Sequence, residues 1–146
     1  MYTTNEKNTA TYIHLSSLSQ YLVPFGNLIF PLLIWNSKKE NSDFIDYNGK
    51  QVLNFQLSIL IYTIIVAIIA LPIILINVFN TIPLETINCT NGFEIEKIPR
   101  FLLLVFIAII SVVCLKIIEF FLIIYASLKA SNGEKYNYPL TITFLK

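Results

Sequence analysis

The sequence predicts an all-α integral membrane helical bundle, and three observations predict it. Only 13% of the 146 residues are charged and 55% are apolar, against about 25% and about 45–50% in an ordinary soluble domain. Mean hydropathy is +0.68. The apolar residues gather in three long stretches, residues 12–35, 52–79 and 101–127, and a helix needs about 20 such residues to cross a bilayer. A water-facing fold of this size could not hide so much Ile, Leu, Val and Phe, and disordered chains have the opposite composition. A barrel would show alternating segments of about ten residues. Unbroken runs in lipid must satisfy their backbone groups within the segment, which selects helices.

Residues 1–11 form a polar N-terminal segment whose one basic residue is Lys7. It lacks the basic start, short apolar centre and small-residue cleavage site of a secretory signal, so no cleavage is expected. The transmembrane domain is expected over residues 12–130, followed by a C-terminal interfacial tail, 131–146. The first stretch is interrupted by Pro24, Gly26 and Pro31 and diluted by Ser16, Ser17, Ser19, Gln20 and Asn27. Two readings are open. One is a kinked single span of about 36 Å. The other breaks the stretch at Pro24, Gly26 and Asn27 into half-helices of about 15–20 Å, too short to cross, which makes a re-entrant hairpin. Stretches two and three read as an antiparallel pair of spans, giving three spans, or four helices if the first stretch is broken.

Orientation follows the distribution of Lys and Arg. The 36–51 loop carries Lys38, Lys39 and Lys50, and the tail region carries Lys129, Lys135 and Lys146. The 80–100 loop has Lys97 and Arg100 beside Glu85, Glu94 and Glu96. The 36–51 loop and the C-terminus are therefore expected in the cytoplasm, the 80–100 loop outside, and the protein in the cell inner membrane. The N-terminus lies outside if stretch one spans and inside if it is re-entrant.

Six residues make a candidate intramembrane polar site: Lys116, Glu119, Lys50, Asn54, Gln56 and Ser58. Lys116 and Glu119 stand three apart, hence on one helix face. A charge at the bilayer centre costs about 2.5–3.5 kcal/mol or more and often marks an ion or proton path. A self-neutralising inward pair, or a lysine snorkelling to the interface, is the competing reading. Lys50, Asn54 and Ser58 recur every fourth residue as a stripe facing protein, with Gln51 and Gln56 off it. Such amides usually join helices through hydrogen bonds of about 0.6–2 kcal/mol, with substrate lining as the alternative.

His14, the one histidine, has no carboxylate or second ligand spaced to join it and reads as interfacial. Trp35, Tyr12, Tyr125, Tyr136 and Tyr138 suit aromatic belts. Cys89 and Cys114 are far apart, in no CxxC or Cys/His cluster, and read as free thiols rather than as a zinc or redox site. Asn88-Cys89-Thr90 matches the glycosylation sequon, which has meaning in a secretory-pathway host. With a net charge of +1 there is no nucleic-acid footprint. No nucleophile elbow, HExxH, P-loop or GxGxxG is present, so no catalytic residue, cofactor or metal is expected.

Three segments carry a resemblance. They are Pro24-Phe25-Gly26-Asn27 with Phe30-Pro31-Leu32-Leu33-Ile34-Trp35 and Lys38-Lys39; Phe44-Ile45-Asp46 with Gly49-Lys50 and Leu53-Asn54-Phe55-Gln56; and Lys129-Ala130-Ser131-Asn132-Gly133-Glu134 with Tyr138-Pro139-Leu140-Thr141. In this order and spacing they resemble a family of small bacterial membrane proteins of unknown function. It is grouped with MamF-type magnetosome membrane proteins and, distantly, with a component of the chloroplast Tic translocon. The resemblance implies a bundle of three or four membrane helices without catalytic residues or cofactor. The expected role is a non-enzymatic scaffold or an assembly- or translocation-associated factor, with the bilayer and other membrane proteins or further copies as partners. The alternative is an oligomeric transporter or channel subunit that uses Lys116 and Glu119.

Overall fold

A computed structural model describes residues 2–81 and 98–146, with side chains over 2–76, 103 and 105–146. The described residues are mainly helical, without strands: α1 (Thr4–Ser16), continued by a 3-10 segment Ser17–Tyr21, then α2 (Gly26–Lys38), a 3-10 turn Lys39–Asn41, α3 (Asp43–Thr81) and α4 (Ile98–Asn132), with an irregular tail after it. They form two compact units, Met1–Ile61 with Ile117–Lys146, and Tyr62–Lys116.

The polar N-terminus starts a helix because its sequence caps one. The Thr3 hydroxyl accepts from the Glu6 amide at 3.3 Å, and the Glu6 carboxylate accepts from the Thr3 amide at 2.6 Å. That reciprocal box satisfies donors that the first helical turn leaves orphaned. The first stretch is not a kinked single helix. It folds as two helices that pack on each other, with the turn at 22–25 reversing the chain. Pro24 restricts the residue before it, and Phe25 takes a left-handed conformation (φ 60°) as α2 begins. Gly26 permits the reversal: a Cβ there would lie 2.6 Å from Ser19 Oγ and 2.9 Å from the Ser19 carbonyl oxygen.

The expected 36–51 loop shrinks to a single turn. α3 starts at Asp43, where the Ser42 hydroxyl accepts from the Phe44 amide at 3.2 Å and Asp43 and Asp46 favour the positive end of the helix dipole. Lys50 therefore lies on the helix, in an ion pair with Asp46 at 2.5 Å. Two helices are long and apolar enough to cross a membrane, Asp43–Ile76 and Val105–Asn132. Neither half of the first stretch has that length. The third span of the sequence reading is thus not found among the described residues. The 82–97 segment, with Cys89 and Asn88-Cys89-Thr90, lies outside them.

In the first unit, Phe44 packs with Ala10 and Ala130, and Ile13, Ile45, Val52, Phe55, Ile123, Ala126 and Tyr138 form the main apolar cluster. α3 and α4 are antiparallel there, and α1 starts at the same end as α3, with Tyr2 stacked on Phe44 at 4.2 Å between ring centroids. The second unit is different in kind. Its α3 residues Ile64, Ile65, Ile68 and Ile69 and its α4 residues Phe106, Ile107, Ile109 and Ile110 are all exposed, the signature of helices solvated by lipid.

Candidate functional site

Among the described residues the buried polar side chains lie in the first unit, and the backbone places them in layers along α3. At the upper layer His14, fully buried on α1, sits between Tyr138 of the tail and Asn48 of α3. Its Nδ1 lies 2.8 Å from the Tyr138 hydroxyl and its Nε2 3.0 Å from Asn48 Oδ1. Asn48 Nδ2 donates to the Phe44 carbonyl at 2.8 Å, which turns its oxygen to the ring. Nε2 therefore carries the proton and donates to Asn48, and Nδ1 accepts from Tyr138. Burial drives the His14 pKa down to about 4, against the Asn48 hydrogen bond that opposes it. Burial raises the Tyr138 hydroxyl well above its usual range, helped by Tyr136 and by the Glu119 carboxylate. The interfacial histidine of the sequence reading is a core histidine, and Tyr138 is a core tyrosine stacked on Phe55 at 4.2 Å.

The middle layer explains the polar stripe. Asn54, 2% exposed, accepts from the Phe144 and Leu145 amides at 3.1 and 2.8 Å and donates to the Leu145 carbonyl at 3.0 Å. Ser58 accepts from the Ile142 amide at 2.8 Å and donates to the Asn54 carbonyl at 2.7 Å. The tail is an irregular strand of chain whose backbone cannot satisfy itself, and irregular backbone at membrane depth survives only where protein satisfies it. Asn54 and Ser58 supply those partners. Lys50, the third member of the stripe, pairs with Asp46 instead.

The lower layer holds the hairpin. Asn27 donates to Gln56 Oε1 at 2.7 Å, and Gln20 donates to Glu119 Oε1 at 3.0 Å. Gln56 and Glu119 are buried, at 0% and 1% exposure, and Lys116 is half-buried. Three buried polar atoms have no hydrogen-bond partner among the described residues: Ser17 Oγ, Gln56 Nε2 and Thr141 Oγ1. Of the expected residues, Asn54 and Ser58 meet at the tail, while Gln56 and Asn27 meet at the hairpin. Pro24 lies in the exposed turn. Gly49 was read only as part of a motif, yet Trp35 packs on it so closely that a Cβ would fall 2.0 Å from Trp35 Cδ1; Trp35 Nε1 also donates to Asp46 at 2.9 Å. Among the described residues no group of three His, Cys, Asp or Glu could hold a metal. Cys114 is a free, exposed thiol.

A profile of the magnetosome magnetite crystal formation protein family matches residues 5–145. No curated protein and no solved structure matches the chain. The magnetosome part of the expected resemblance is thereby shown, and the translocon part gains no support.

Proposed function

Because the chain belongs to the magnetosome magnetite crystal formation protein family, we propose that it is a non-enzymatic membrane scaffold or assembly factor in the formation of magnetite crystals. One observation carries the reading: Asn48, Asn54, Ser58 and the Oε1 of Gln56 on α3 are engaged by the chain's own hairpin and tail. Groups lining a conduction path would instead face a lumen that an ion or substrate can enter. By the Lys and Arg distribution the end of the first unit that carries Lys38, Lys39, Lys129 and Lys135 faces the cytoplasm, with the bilayer and other membrane proteins or further copies as partners.

The second reading is an oligomeric transporter or channel subunit. It is favoured by Glu119, a carboxylate 1% exposed on an otherwise apolar helix segment, three residues from Lys116. The two readings part in one experiment. Purified protein in liposomes should leave ion flux at the level of empty vesicles. In a magnetite-forming host lacking the protein, the Lys116→Met/Glu119→Leu double variant should restore crystals as the unaltered chain does, whereas Asn54→Leu should not. Flux that disappears in Glu119→Gln would overturn the scaffold reading in favour of the transporter.

A further inference from the structure

Three lysines stand over aromatic rings at one end of the first unit. Lys39 is 5.0 Å from the Trp35 ring centroid, Lys135 4.7 Å from Tyr47 and Lys129 5.9 Å from Tyr125. These pairs come from α2, the 3-10 turn after it, α3, α4 and the tail. Tryptophan and tyrosine are enriched at the headgroup level of a bilayer, and lysines there attract anionic lipid; Lys129 also pairs with Glu134 at 2.5 Å. This belt has the composition of a membrane surface.

Two segments run inward from that level and turn back. The hairpin descends through α1, with Tyr2 on Phe44, His14 on Asn48 and Gln20 on Glu119. It returns through α2, with Asn27 on Gln56 and Trp35 against Gly49. The tail descends from Tyr138 at Phe55 to Ile142 at Ser58, and Leu145 returns to Asn54. From Trp35 to the turn at 22–25 the helical rise gives about 15 Å, half of a hydrocarbon core of about 30 Å. At both tips the side chains are apolar and outward: Leu22 is 88% exposed, Phe25 64% and Leu140 83%. Both tips turn on a left-handed non-glycine residue, Phe25 at φ 60° and Leu140 at φ 59°.

We infer that the hairpin and the tail form a single-leaflet insert: their tips lie among the acyl chains of the leaflet whose headgroups meet Lys39, Lys129 and Lys135. The hairpin enters and leaves through the same surface and the tail turns back at Asn54, so both take up lipid area in that leaflet alone. The occupant of the exposed tips is lipid because the hairpin tip lies one leaflet's depth from a cationic aromatic belt and the tail tip lies between the two levels. Water would leave the largest exposed apolar side chains unsolvated, and a crossing would leave the N-terminus on the far side. The inference holds for a scaffold and for a transporter alike, and it places the N-terminus on the same side as the tail.

The test uses the full chain with Cys89→Ser and Cys114→Ser, reconstituted in vesicles of phosphatidylcholine and phosphatidylglycerol. Spin labels are placed on Leu22→Cys, Leu140→Cys and Lys38→Cys, all exposed positions. Oxygen collisions should exceed nickel-chelate collisions several-fold at 22 and 140, and the order should reverse at 38. An impermeant maleimide should label Asn5→Cys and Lys146→Cys from the same side. In the unaltered protein Trp35, the one tryptophan, should be quenched more by lipid brominated near the headgroup than by lipid brominated near the chain end. Nickel access at 22 or 140 equal to that at 38 overturns the insert, as does labelling of 5 and 146 from opposite sides. Deep quenching of Trp35 removes the belt and overturns it independently of any variant.

Discussion

The two units of this chain are built from one composition by opposite means. In the described helix segments of Tyr62–Lys116, apolar side chains such as Ile64, Ile65, Val66, Ile68, Phe106 and Ile107 face outward. Met1–Ile61 with Ile117–Lys146 instead buries His14, Ser17, Asn48, Asn54, Gln56, Ser58, Glu119 and Ser127. In lipid an apolar face has no reason to leave its solvent, so helices gain little by hiding leucine. What does drive segments together is a polar group that lipid cannot satisfy. The first unit is held that way.

That contrast breaks most readily at Asn54. Asn54→Leu leaves the amides of Phe144 and Leu145 and the carbonyl of Leu145 without partners, each worth about 1–3 kcal/mol when buried. Unfolding in detergent should show a loss of about 3 kcal/mol or more. An unchanged midpoint would mean that the tail is not held by this residue.

Acid provides the next effect. His14 has a folded pKa of about 4 against an ordinary 6.5, so above pH 6.5 both folded and unfolded chains hold it neutral. Below that value the unfolded chain binds a proton that the folded chain refuses. Stability should therefore fall from pH 6.5 to about pH 4, by about 3 kcal/mol in all. His14→Gln should flatten that part of the pH profile. An identical slope in the variant would assign the loss to other groups.

Gly49→Ala forces a methyl group into the Trp35 ring. Overpacking of this kind costs about 1–3 kcal/mol, read as a lower unfolding midpoint and a shifted Trp35 emission. Asn27 and Gln56 should couple by about 1 kcal/mol in a double-mutant cycle with leucine at both positions. Additive effects there would separate the hairpin from α3. In the other unit, Ile68→Leu should change stability by less than about 0.5 kcal/mol, because a 65% exposed side chain exchanges one lipid contact for another.

The second unit was legible in the sequence because hydropathy alone defines it, and residues 52–79 and 101–127 fall inside α3 and α4. The start of α3 was not legible in hydropathy. Residues 43–51 are mostly polar, and their helix rests on the Ser42 cap, on buried Phe44 and Ile45 and on Trp35 lying against Gly49. The polar stripe was legible as facing protein, since Asn54 and Ser58 share a helix face with period 3.6. Its partner was not, because that partner is the backbone of residues 142–145, and backbone groups leave no signature in side-chain pattern. His14 misled for a related reason: Tyr138 and Asn48 are 124 and 34 residues away, and no local spacing joins them.

Residue-resolved amide exchange of the tail tests most directly the claim that buried polar side chains of α3 hold the chain's irregular segments. The amides of Ile142, Phe144 and Leu145 should exchange slowly in the unaltered protein. In Asn54→Leu those of Phe144 and Leu145 should become fast while the amides of α1 stay protected. Fast exchange at all three positions in the unaltered protein would contradict the account.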